Sequence, residues 1–225
     1  MSAFGQIGAI LRKDILLELR SKEILSSMLV FSLIVVVIFN FIFDPGSEQI
    51  KLMAPGILWV AITFAGNLGL SRSFAREMEQ GMLQGLLLCP VDRSNIFIAK
   101  LMGNVIFIAL VQIIILPIIM VLFDLNLTGT WHWLLLIMLL GTLGFTGVGT
   151  VFATISANTK AREVMLPILL FPVSVPVILA ATKSTAYLLA GRDFSQIISW
   201  IKLLIGFDII FLVLCYLLYE YVLEE

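Results

Sequence analysis

The sequence predicts an all-α polytopic membrane protein with six transmembrane helices, and three observations carry that prediction. Of the 225 residues 60% are hydrophobic, against about 45–50% in soluble domains. Only 13% are charged, and the mean hydropathy is +1.10. The apolar residues fall into six runs, about 24–43, 52–70, 101–123, 133–155, 164–181 and 203–219, each close to the roughly 20 residues needed to cross a hydrocarbon core about 30 Å thick. Runs of this length exclude a strand barrel, whose signal is alternation over about 10 residues. They leave no soluble domain, so 1–225 reads as a single membrane domain with an amphipathic interfacial segment at 1–23 and a polar segment at 71–92.

The amino-terminal segment places Phe4, Ile7, Leu11, Ile15 and Leu19 within one helical arc and Arg12, Lys13 and Arg20 outside it, the pattern of a helix lying in a membrane interface. Glu18 interrupts that arc. A plain tail is the competing reading. The first span follows seven charges and no small-residue cleavage site, which predicts a retained helix rather than a signal peptide.

Orientation follows from Lys and Arg, which resist translocation. Arg12, Lys13, Arg20, Lys22, Arg72, Arg76, Arg93, Lys100, Lys160 and Arg162 fall on one side; Lys51, Lys183, Arg192 and Lys202 fall on the other. The prediction is that both termini and 71–95 are cytoplasmic, with 44–51, 124–132 and 182–202 outside.

The second polar segment, REMEQGMLQGLLLCPVDR at 76–93, interrupts an otherwise apolar chain. On a helical wheel Phe74, Met78, Gly81, Met82 and Gly85 share one side, and Arg76, Glu79, Gln80 and Gln84 the other. Leu83 and Leu87 fall on the polar side, where a partner's groove would cover them. The alternative is that Gly81 and Gly85 break the helix and that Leu86 to Leu88 re-enter the membrane boundary. Pro90 ends the segment, and Asp92 to Asn95 offer capping groups for the third span.

Span four carries Gly141, Gly144, Gly147 and Gly149, with Thr142, Thr146, Thr150 and Thr154 recurring every fourth residue. Small residues of this kind let helix backbones approach, and static packing is the simpler account of them. Span five contains Pro167, Pro172 and Pro176; each removes a backbone donor and clashes one turn back, predicting a bent or broken helix.

Several chemistries are disfavoured. The span cores are expected to carry no Asp, Glu, His, Arg or Lys, the residues that ion-coupled transporters place there. Asn40, Asn67, Asn104 and Gln112 are expected to bridge helices. The sequence has no GxxxxGK[ST] nucleotide loop, no intramembrane serine-protease arrangement and no metal-ligand set. Work done by this protein would therefore be supplied by another chain. Cys89 and Cys215 are isolated. His132, in TWHW, could ligate an iron, but it sits in an ordinary interfacial aromatic belt.

Three stretches, MAPGILWVAITFAGNLGLSRSF (53–74), EQGMLQGLLLCP (79–90) and AKLMGN (99–104), resemble the CcmB family of haem-exporter membrane subunits in cytochrome c maturation, within the ABC-2 type permeases. LGTLGFTGVGTVFATI and LPILLFPVSVPVILAA extend the resemblance over nearly the whole chain. It implies a six-helix permease fold, a non-catalytic subunit in the bacterial inner membrane, and a coupling helix between spans two and three. Arg76, Glu77, Glu79, Gln80, Gly81, Leu83, Leu86 and Leu87 are the residues this assigns to contact with a separate CcmA-like ATP-binding subunit, which would hold the ATP. It also implies a second copy of the chain, CcmC-like and CcmD-like membrane subunits, a CcmE-like haem chaperone, a lipid surround and no nucleic acid. Haem enters as cargo rather than as a cofactor held by this chain. Haem export and ATP-driven release of the loaded chaperone both remain open, as do a different cargo and a non-transporting scaffold.

Overall fold

The computed structural model describes residues 3–43, 47–89, 91–125, 131–157, 159 and 161–223, without the side chains of Leu83, Gln84, Leu87, Arg162 and Glu163. Pro90 and Lys160 also lie outside the described residues. Among those described, the elements are helices α1 (Ala3–Ser21), α2 (Glu23–Ile42), α3 (Glu48–Glu79), α4 (Met82–Leu87), α5 (Arg93–Leu122), α6 (Trp131–Ala157), α7 (Arg162–Leu189) and α8 (Phe194–Val222). Six of them, α2, α3 and α5 to α8, are long and apolar enough to span a bilayer. Six crossings return the chain to the side it started from, so α1 and the end of α8 share one end of the bundle, called here the terminal end.

Four spans outrun their expected limits at both ends. At 1.5 Å per residue the 32 residues of α3 extend roughly 48 Å, well past a 30 Å hydrocarbon core. Apolar windows stop at the first charges, whereas backbone hydrogen bonding does not. The region expected as a loop at 182–202 shrinks accordingly: α7 runs to Leu189 and α8 starts at Phe194. The polar stretch at 71–79 is likewise the end of α3 rather than a separate surface helix.

The three prolines of span five all lie inside α7, which runs as one helix from Arg162 to Leu189, so of the bent or broken helix expected, the break does not occur. Ser174, between Pro172 and Pro176, is fully buried and its hydroxyl has no partner among the described residues.

α6 sits at the centre of the bundle, and its glycines explain how. A Cβ on Gly149 would lie 2.5 Å from Leu70 of α3, and one on Gly147 2.6 Å from Leu212 of α8. Trp59 of α3 presses on Gly141, and Asp208 of α8 on Gly144. Trp59 also donates its indole N–H to Thr185 of α7 at 3.0 Å. The threonines face other partners: Gln112 of α5 donates to Thr142 at 2.7 Å, Asn104 of α5 donates to Thr150 at 3.2 Å, and Thr154 donates to the Tyr219 hydroxyl of α8 at 3.2 Å. Asn104 and Gln112 thus bridge helices as expected. The Asn40 and Asn67 carbonyl oxygens are buried without a partner among the described residues.

The peripheral helices reverse the soluble pattern. Val30, Ile34, Val37, Ile38 and Phe41 of α2, and Ile209, Ile210, Val213 and Leu217 of α8, are exposed, as lipid-facing residues are, since lipid tails are as apolar as leucine. The expectation that the span cores lack titratable groups is wrong. Asp208 lies inside α8 and is 5% exposed, and neither carboxylate oxygen has a partner among the described residues.

Candidate docking site and its ion cluster

The residues assigned to partner contact lie at the terminal end, where α3 leaves the bundle. α3 ends at Glu79, and Gly81 adopts φ 63°, a left-handed conformation that glycine enters without a Cβ penalty and that commonly stops a helix. The six-residue α4 follows and packs against α3. One continuous helix over 76–88 is therefore not what forms. The break falls at Gly81 alone, since Gly85 lies within α4.

The assigned side chains divide into an outer and an inner set. Glu79 and Gln80 are exposed, as are Gly85 and Leu88, the last at 89%. Leu86 is half-buried against the core. Arg76 is half-buried and donates to the Ser21 hydroxyl of α1 at 2.7 Å. The side chains of Leu83 and Leu87 lie outside the described residues.

Glu77, assigned with Glu79 to contact with the ATP-binding subunit, does not share its exposure. It is 5% exposed and turns into the bundle, where its Oε1 accepts from Lys100 of α5 and from Lys13 of α1, the latter at 3.3 Å. Lys100, itself 2% exposed, also donates to Asp14 of α1 at 2.7 Å, and Lys13 lies 3.1 Å from Asp14. Two ammonium and two carboxylate groups thus close a ring across α1, α3 and α5. Burial tends to lower the pKa of Lys13, but the Glu77 and Asp14 carboxylates outweigh it and hold the pKa above its ordinary 10.5.

α1 reaches the ring with a face that coincides only in part with the arc read from the sequence, since Ile7 and Ile15 of that arc pack against the core. Phe4 and Leu19 of that arc are exposed, at 88% and 60%, while Ile10 and Glu18 are buried. Glu18, which interrupts the apolar arc, accepts from the Leu25 backbone N–H at 2.8 Å. It thereby satisfies one of the free donors in the first turn of α2, beside Lys22 in a left-handed conformation at φ 55°. At the start of α5, Asp92 occupies the cap position without a side-chain cap bond, and Asn95 instead donates to Gln6 of α1 at 2.8 Å.

A model of the family described as CcmB protein matches residues 6–221, which includes the whole ring, the Gly81 break and all six spans but for the last residue of α8. The chain belongs to the CcmB family. Among its curated relatives, the heme exporter protein B of Rhodobacter capsulatus is 31% identical over 171 residues, covering 76% of this chain and 78% of the relative. That of Pseudomonas aeruginosa is 27% identical over 192 residues, covering 85% and 86%. That of Escherichia coli is 31% identical over 95 residues, covering 42% and 43%.

Other residues singled out in the sequence stand apart from this site. Cys89 is exposed and Cys215 buried, and neither is in a disulfide. His132 lies edge-on to Trp131 and tilted against Trp133, at the far end of the bundle. Among the described residues no group of three or more His, Cys, Asp or Glu side chains is arranged to hold a metal.

Proposed function

We propose that this CcmB-family chain is the membrane subunit of an ATP-driven haem exporter serving cytochrome c maturation, in the bacterial inner membrane with both termini cytoplasmic. It holds no nucleotide loop, and the energy comes from a separate ATP-binding subunit docked at the terminal end. The positive-residue imbalance supports that end as the cytoplasmic one. The names of the relatives, heme exporter protein B, support haem as the cargo. A second copy of the chain and further membrane subunits would complete the assembly.

The observation that carries the docking reading is α4: a short helix hung on α3 by Gly81, beside a leucine that is 89% exposed. A hydrophobic pocket on the partner would cover Leu88, and exposed Glu79 and Gln80 would lie at its polar rim. Leu88→Asp and, on the helical-wheel reading, Leu83→Asp place an unpaired charge in that pocket. The cost is several kcal/mol, a weakening of about a hundredfold or more. Each variant is expected at normal abundance in the membrane but without the ATP-binding subunit on purification and without mature c-type cytochromes. Co-purification of both variants at the wild-type level would remove α4 from the interface.

A further inference from the structure

The ring of Lys13, Asp14, Glu77 and Lys100 is placed where force from α4 would enter the bundle. Glu77 lies in the last turn of α3, four residues before Gly81. Met82, the first residue of α4, lines the same cavity, about 20 Å³, as Glu77, Asp14 and Glu18. On the other side of the ring, Lys100 sits in the second turn of α5 and Asp14 midway along α1.

Burial makes the ring a poor device for stability alone. Desolvating Glu77 and Lys100, the two fully buried members, offsets most of their attraction, and well-packed apolar side chains in their place are often as stable or more so. What charges add over apolar packing is a fixed register, because each ammonium must meet particular oxygens. This ring has zero net charge, and its contacts specify how the end of α3 lies on α5 and on α1. Arg76 to Ser21 and Asn95 to Gln6 reinforce two of the same three seams. α1 makes few other contacts with the bundle apart from those along α5.

We propose that Glu77 and Lys100 are positioning residues for energy coupling: the ring joins α1, the end of α3 and the start of α5 into one body, so that displacement of α4 moves all three together. This rests on the reading that the ATP-binding subunit docks on α4. Without the ring, a push on α4 would be taken up by bending at the end of α3, and α5 would not follow.

The test uses the complete complex, co-expressed in membranes. Glu77→Gln with Lys100→Met removes one charge of each sign and leaves the Lys13–Asp14 pair in place, so the ring is lost without stranding a net charge. The double variant is expected to co-purify the ATP-binding subunit, while cytochrome c maturation per ATP hydrolysed falls about tenfold or more, within the 5–150-fold range of couplings between distant sites. A merely structural defect would lower abundance and leave that ratio unchanged. An unaltered ratio in an assembled double variant overturns the proposal.

A second measurement needs no ring variant. Spin labels at Ala9 in α1, exposed, and Ala75 near the end of α3, half-buried and outside the docking residues, report whether the two move as one. Their distance is expected to be the same in the nucleotide-free and ATP-bound complexes. A shift larger than the width of the nucleotide-free distribution overturns the proposal while leaving docking on α4 intact. If the wild-type chain binds no ATP-binding subunit, docking and this inference fall together.

Discussion

Two polar regions hold this bundle together, and they do so with different chemistry. Around α6, within the membrane, the contacts are neutral: Gln112 to Thr142, Asn104 to Thr150 and Thr154 to Tyr219, over backbones brought close by four glycines. At the terminal end the contacts are ionic, a ring of four charges joining α1, α3 and α5. The difference follows from the solvent. A neutral amide or hydroxyl costs little to insert and finds a partner within the bundle, whereas a charge at the bilayer centre costs at least about 2.5–3.5 kcal/mol. Near the interface the same charge is cheaper and fixes geometry more tightly. Asp208 is the exception, a carboxylate packed on Gly144 with no partner among the described residues.

If that contrast is right, the two regions respond differently to substitution. The largest effect is expected from Lys100→Met alone, which leaves buried Glu77 and half-buried Asp14 facing only the partly exposed Lys13 ammonium. Removing one partner of a buried ion pair costs about 3–5 kcal/mol, and thermal unfolding in detergent should show it as a marked fall in Tm. A Tm within error of wild type would mean that the ring is open to water. Gly144→Ala comes next. Its Cβ would meet Asp208 and lie 2.9 Å from Val177, and overpacking of this kind costs about 1–3 kcal/mol. An unchanged Tm would show that α6 and α8 can separate freely. The smallest effect is expected from Thr142→Val, which removes the Gln112 bond for about 0.6 kcal/mol, the average for such intramembrane pairs, with a maximum near 1.7. A loss as large as that of Lys100→Met would erase the distinction between the regions.

Much of the fold was legible because lipid imposes long apolar runs, and all six runs are helices. Their ends were not, because a window that stops at Arg72 or Lys183 measures hydrocarbon and not hydrogen bonding. Asp208 stands within the sixth run, in GFDIIF, where the average over strongly apolar neighbours conceals one carboxylate. The α7 prolines suggested a bent or broken span, and the helix runs through all three without a break.

The helix break at Gly81, between spans two and three, was legible in the sequence, and the ion pairs beside it were not. In the sequence Glu77 stands only as a partner-contact residue and Lys100 only as one of the positive residues that set orientation. Their pairing spans 23 residues, and that of Lys100 with Asp14 spans 86, beyond the reach of any local periodicity. Glu18 was the available signal. An acidic residue at inward spacing from Asp14 and Ile10, followed by a new helix at Glu23, marks a face that seeks polar partners.

The central claim is that the terminal end, through α4, is where an ATP-binding subunit engages this chain. Site-specific photo-crosslinking in the intact complex tests it most directly, with the probe placed at Gly85 of α4 or at Gly191 in the turn between α7 and α8, both exposed. The account predicts a crosslink to the ATP-binding subunit from position 85 and none from position 191. A crosslink from 191 with none from 85 would contradict it.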